Sequence, residues 1–131
     1  IDDGRVISNF INQAINNKFI TIYGDGMQTR SFCFVDDMID AFVSIMNTND
    51  DFCGPINIGN PKEYTILEIA NEIKELTDSQ STIMFEDLPK DDPKRRRPLI
   101  TLANEIINWN PSTDLRDGLI QTIDYFKNTL N

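Results

Sequence analysis

The sequence predicts an α/β fold of amphipathic helices and short strands, and three observations predict it. Apolar residues recur at helical spacing in three stretches, opened by Val6, Ile66 and Leu115. Between them lie short β-branched and aromatic runs that stop at glycine or proline turns, most clearly residues 19–23 before Gly24-Asp25-Gly26. The order of these stretches lacks the regular strand–helix alternation of a complete parallel sheet, so the reading is one α/β unit, and an incomplete one.

Val6, Ile7, Phe10, Ile11, Ala14 and Ile15 form the stripe of a first helix ending near Asn16, with Asp2 and Asp3 at its positive end. Residues 19–23 and 31–35 are then expected as strands. Asp36 or Asp37 should cap a helix over residues 38–47, which is apolar on most of its circumference and therefore expected to be buried on several sides. Gly54-Pro55 introduces a short strand at residues 56–58, and Gly59-Asn60-Pro61 turns the chain. Thr65-Ile66-Leu67-Glu68 fits a capping box, in which threonine and glutamate each satisfy a free N–H at the helix start. The helix behind it carries Ile66, Ile69, Ala70, Ile73 and Leu76 on one stripe. A strand at residues 82–85 is followed by a charged loop over residues 87–98, held out of helix or central strand by Pro89, Pro93 and Pro98. A short helix ends near Trp109 and Pro111. The last begins about Asp114 and buries Leu115, Leu119, Ile123, Phe126 and Leu130.

A chain of 131 residues is the size of one ordinary domain, and its 40% hydrophobic content predicts a soluble protein with a true core. No apolar run approaches the ~20 residues that a membrane helix needs. The chain opens Ile-Asp-Asp-Gly, without the basic and apolar regions of a secretory signal and without methionine, so a natural start upstream is expected. With two cysteines, no Cys-x-x-Cys pair and no histidine, a zinc site of the usual type cannot be assembled. Cys33, inside an aromatic run, is expected as a buried inert thiol in a reducing, cytoplasmic setting. A net charge of −9 argues against nucleic acid as a partner.

The lack of histidine removes the commonest general base and any Ser-His or Cys-His pairing. Gly24-Asp25-Gly26 lacks the third glycine of a dinucleotide fingerprint and reads as a turn. The carboxylate pairs Asp2-Asp3, Asp36-Asp37, Asp50-Asp51 and Asp91-Asp92 sit in loops or at helix starts, where capping and solvation account for them.

The cations are more informative. Arg5 lies at the start of the first helix, where free N–H groups favour an anion. Arg30 precedes a hydrophobic strand. Lys94-Arg95-Arg96-Arg97, bracketed by Pro93 and Pro98, should be extended, with Arg96 facing opposite to Arg95 and Arg97. One arginine of this block could then join Arg5 and Arg30 on a diphosphate, which the planar guanidinium holds through two oxygens at once. The competing reading is that all these charges merely solvate surface loops.

The motif order resembles the C-terminal half of the extended short-chain dehydrogenases that act on nucleotide sugars. The resemblance is carried by Asp3-Gly4-Arg5-Val6-Ile7-Ser8-Asn9-Phe10 and by Thr21-Ile22-Tyr23-Gly24-Asp25-Gly26 with Gln28-Thr29-Arg30-Ser31-Phe32. Val35-Asp36-Asp37, Asn57-Ile58-Gly59-Asn60-Pro61 and Trp109-Asn110-Pro111 follow in order. Ser31 and the run Asp91-Asp92-Pro93-Lys94-Arg95-Arg96-Arg97-Pro98 resemble the UDP-glucuronate decarboxylase branch, as against the dTDP-glucose 4,6-dehydratases, with one departure at Leu99, where aspartate is usual.

That resemblance implies a single sugar-nucleotide-binding domain over residues 1–131, part of a larger NAD-dependent enzyme. Such an enzyme oxidises C4 of UDP-glucuronate with bound NAD, loses CO2 from the β-keto acid and reduces C4 again to give UDP-xylose. The positions implied to bind substrate are Arg5 and Val6, then Thr21, Ile22 and Tyr23 along the uracil, and Arg30 and Arg96 on the diphosphate. Val6, Ile22 and Tyr23 could equally be core residues that meet a ligand through backbone alone. Asp37 and Asn57 are implied to organise the fold.

The family binds NAD on an N-terminal Rossmann half and uses a Tyr-x-x-x-Lys pair. Here Met27, Glu68 and Thr129 stand four residues after the three tyrosines. The chain is therefore expected to lack catalytic residues, to bind no NAD and to have no turnover alone. Its implied partners are a UDP-sugar, the Rossmann half and further copies of itself, with no nucleic acid and no membrane. Two rival readings stand beside this one: a dTDP-glucose 4,6-dehydratase or related dehydratase or epimerase, and a stand-alone binding or self-assembly module.

Overall fold

The computed structural model describes residues 5–49, 52–88 and 95–129. Asp2, Asp3, Lys94, Leu130, the pairs Asp50-Asp51 and Asp91-Asp92, and Pro89 and Pro93 lie outside them. Ten elements follow in order: α1 (Val6–Ile15), β1 (Ile20–Tyr23), β2 (Thr29–Ser31), α2 (Val35–Met46), β3 (Glu63–Thr65), α3 (Ile66–Leu76), β4 (Ile83–Glu86), β5 (Arg95–Arg96), α4 (Thr101–Ile107) and α5 (Leu115–Thr129).

The apolar stripes of α1, α3 and α5 converge on the parallel pair β1–β4, whose register runs from Ile20 opposite Ile83 to Tyr23 opposite Glu86. Ile11, Ile20, Ile22, Ile69 and Ile73 are wholly enclosed there. Burying one such side chain contributes about 1.5–3 kcal/mol, so this cluster carries most of the fold's hydrophobic stabilisation. A smaller cluster joins Ala41 of α2 to Ala103 of α4 and to Trp109.

Local chemistry sets the element ends. Thr65 is both the last residue of β3 and the N-cap of α3. Its hydroxyl accepts from Glu68 N–H at 3.1 Å, and the Glu68 carboxylate accepts from Thr65 N–H at 2.7 Å, closing the expected capping box. The chain leaves α1, α3 and α4 through Asn17, Asp78 and Asn108, all in the left-handed region that Asn and Asp tolerate. Gly118 allows α5 close to the loop before α2: a Cβ there would lie 3.1 Å from Phe34 Cδ2.

Four expectations need correction. The second strand is Thr29–Ser31, not residues 31–35, because Thr29 and Arg30 find partners on both sides: β3 antiparallel and β5 parallel. The following helix starts at Val35 with Phe34 as N-cap, so Asp36 and Asp37 stand in its first turn instead of capping it. Residues 56–58 form no strand; Ile56 and Ile58 pack on the smaller cluster, and no strand among the described residues pairs with them. Finally, α2 buries only Asp37 and Ala41. Phe42 is 54% and Met46 83% exposed, because of the described elements only α4 packs substantially against this helix.

Candidate functional site

The three-stranded sheet has the order β3-β2-β5, and its central strand sets two arginines side by side. Arg30 of β2 is in register with Arg96 of β5, and Thr29 with Arg95. Partners in register point to one face, and neighbouring strands lie about 4.8 Å apart, so Arg30 and Arg96 share a face that Arg95 does not. The expected alternation is thus present between Arg95 and Arg96, but Arg97, expected on the side of Arg95, lines the same cavity as Arg96.

A cavity of about 1070 Å³ opens beside this sheet edge, and Arg5, Arg30, Arg96 and Arg97 all line it. Arg95 does not. Its apolar wall includes Phe32, Phe34 and Tyr125, and two aspartates, Asp36 and Asp114, also reach it. Four arginines against two aspartates give a locally cationic hollow in a chain of net charge −9. Arg5 is the N-cap of α1, whose first free N–H groups add partial positive charge. Arg30 Nη1 donates to the backbone carbonyl of Thr29 at 2.8 Å, which steadies its guanidinium. Ser31 Oγ is buried on the same wall with no hydrogen-bond partner among the described residues. Such a cavity can hold a compact anion against guanidinium groups and pack an apolar or sugar-like group against its aromatic side.

The remaining implied contacts lie elsewhere. Val6 is half-buried against the main core. Thr21 N–H donates to Gln13 Oε1 at 3.2 Å. Ile22 is wholly enclosed, so only its backbone could meet a ligand. Tyr23 is 49% exposed at the end of β1, and its carbonyl accepts from Gln28 Nε2 at 2.6 Å. Beyond it a second hollow, of about 930 Å³, is lined by Gly24, Asp25 and residues 85–88. The implied residues therefore divide between the arginine cavity and the edge of β1.

Asp37 and Cys33 have structural settings. The Asp37 carboxylate accepts from Ser112 Oγ at 2.8 Å, Thr113 N–H at 3.0 Å and Thr113 Oγ1 at 3.2 Å. Burial pushes its carboxyl up, but these hydrogen bonds outweigh burial and hold it below the usual carboxylate range. Cys33 is half-buried, not fully buried as expected, and lines the cavity. Burial, with the Asp37 charge second, pushes its thiol up and keeps it protonated.

The Gly24-Asp25-Gly26 turn does not have the setting of a dinucleotide fingerprint. Gly24 and Gly26 both have positive φ. A Cβ at Gly26 would meet Leu67 Cβ at 3.1 Å and Ile22 Cγ2 at 3.3 Å, so this glycine serves close packing of the turn on α3, not the approach of a pyrophosphate. Among the described residues, no three His, Cys, Asp or Glu side chains are placed to hold a metal ion. No described helix is long and apolar enough to cross a membrane.

Glu63 stands in a strand that its sequence does not announce, and only the sheet brings it to Thr29 and Arg95.

The chain is similar to known proteins. Residues 1–59 match the model of the NAD dependent epimerase/dehydratase family. The chain is 48% identical over 130 residues to UDP-glucuronic acid decarboxylase 1 of Danio rerio, covering 99% of this chain and 31% of that protein. It is 45% identical over 130 residues to UDP-glucuronic acid decarboxylase 1 of Arabidopsis thaliana, covering 99% of this chain and 29% of that one. The fold matches UDP-glucuronic acid 4-epimerase from Bacillus cereus, solved with UDP-glucuronic acid and NAD, with a TM-score of 0.89, 31% identity, and coverage of 95% of this chain and 40% of that one. The chain thus spans about a third of the length of the curated relatives it matches. By sequence and by fold, the chain is similar to proteins of the NAD dependent epimerase/dehydratase family, and it aligns along nearly its whole length with about a third of a UDP-glucuronic acid decarboxylase.

Proposed function

We propose that this chain is the nucleotide-sugar-binding part of an NAD-dependent UDP-glucuronate decarboxylase, a lyase that makes UDP-xylose. Its role is to hold the diphosphate of the substrate while chemistry proceeds on the remainder of the enzyme. The observation that carries the reading is the meeting of Arg5, Arg30 and Arg96 at one cavity, in a chain 45% and 48% identical to two such decarboxylases. The edge of β1, from Thr21 to Tyr23, is the companion surface for the base, with Val6 backing Arg5. Ser31 favours this substrate over dTDP-glucose. The free cysteines Cys33 and Cys53 suit a reducing, cytoplasmic setting.

UDP titrated into the chain, followed by NMR shifts or calorimetry, tests the diphosphate site. Each of Arg30→Ala and Arg96→Ala should raise the Kd tenfold or more, the scale of one charge-assisted hydrogen bond of about 1.5–3 kcal/mol. No saturable UDP binding by the unsubstituted chain, or unchanged Kd in both variants, sinks the reading.

A second element of the reading concerns assembly. Val35, Ile39, Phe42, Val43 and Met46 leave an apolar strip of α2 exposed, which supports a covered interface in the whole enzyme and self-association of this chain. A clean monomer by light scattering at high concentration counts against it.

A further inference from the structure

One carboxylate joins all three strands of the arginine sheet. Glu63 of β3 accepts from Thr29 Oγ1 of β2 at 2.8 Å, and from Arg95 Nε of β5 at 2.8 and 3.0 Å through its two oxygens. Arg95 Nη2 completes a bidentate pair with Oε2, and Arg97 Nη1 lies 3.9 Å from the same oxygen. The Glu63 side chain is only 16% exposed, so this is more than a loose surface pair.

Resting on the diphosphate reading above, we propose that Glu63 is a positioning residue: by gripping Arg95 it ties β5 to the central strand and so holds Arg96 beside Arg30. β5 is only two residues long, so its backbone pairing alone holds it weakly. Glu63 adds the side-chain tie that so short a strand lacks, because its carboxylate bonds Thr29 on β2 and the Arg95 guanidinium on β5 at the same time. With Arg95 gripped on one face, its neighbour Arg96 is turned to the other, in register with Arg30. Thr29, in register with both Thr65 and Arg95, fixes the position of that carboxylate on the central strand.

The test turns on sign. Glu63→Gln removes a negative charge near an anion site, so simple electrostatics predicts tighter UDP binding. Positioning predicts weaker binding, with a Kd raised about tenfold, and Glu63→Asp should retain more affinity than the glutamine variant. Arg95→Gln, at a side chain 66% exposed and outside the cavity, should reproduce the loss in a folded chain. The pair Glu63→Gln/Arg95→Gln should then be no worse than either alone. A merely structural staple would lower the melting temperature and leave the UDP Kd, measured well below it, unchanged. Unchanged or tighter binding in Glu63→Gln and Arg95→Gln, with Arg30→Ala still impaired, overturns the positioning role alone. Unchanged binding in Arg30→Ala and Arg96→Ala overturns the diphosphate site itself.

Discussion

Trp109 donates its indole N–H to the backbone carbonyl of Asp37 at 2.9 Å, tying the loop before α5 to the first turn of α2. The Asp37 carboxylate returns the contact by accepting from Ser112 and Thr113. Phe34, three residues before Asp37, and Thr113 both line the arginine cavity, so this anchor holds two of its walls together. Asp37→Ala strands three donors at a residue only 4% exposed. The loss should be about 3 kcal/mol, read as a lower denaturant midpoint with an unchanged m-value, and Asp37→Asn should fall between the two.

Acid should weaken the fold through named carboxylates. Hydrogen bonds from Arg95 first, then from Thr29, pull the Glu63 carboxyl from its ordinary 4.5 to about 2. A group depressed in the folded state contributes stability above its unfolded pKa and loses that contribution as pH falls toward the folded one. The window for Glu63 is therefore about pH 4.5 to 2. Asp37 and Glu68, also held below their ordinary values, act with the same sign. Unfolding free energy measured across this range should fall with pH, and Glu63→Gln should fall less steeply. Equal slopes would refute the assignment.

The two thiols should differ in reactivity. Cys53 is exposed, whereas Cys33 is half-buried with its thiol pushed up by burial and by Asp37. Since the thiolate is the nucleophile, alkylation at neutral pH should label Cys53 several-fold faster, as peptide mass spectrometry would show. If UDP fills the cavity, it should slow labelling of Cys33 further without altering Cys53.

The sequence by itself determined the elements that depend on neighbours a few residues away. The stripes of α1, α3 and α5 follow from helical spacing, and the Thr65–Glu68 box needs only a four-residue pattern. It also supplied the candidate cations Arg5, Arg30 and Arg96, and the ordered motifs that point to nucleotide-sugar enzymes. Tertiary structure decided whatever requires a partner distant in sequence. A strand exists only when paired, so residues 56–58 carry a strand pattern and form none, while Glu63–Thr65 forms one that its sequence does not announce. The apolar circumference of α2 signals a need for burial but cannot say what meets it, and Phe42 and Met46 remain uncovered by the described residues. Asp37 reads as a cap in sequence, yet its carboxylate is used by residues 75 and 76 positions away. The same holds for the arginines: sequence shows three guanidinium groups in a row, and only the sheet sets Arg96 beside Arg30 and Arg95 on the carboxylate of Glu63, 32 residues away.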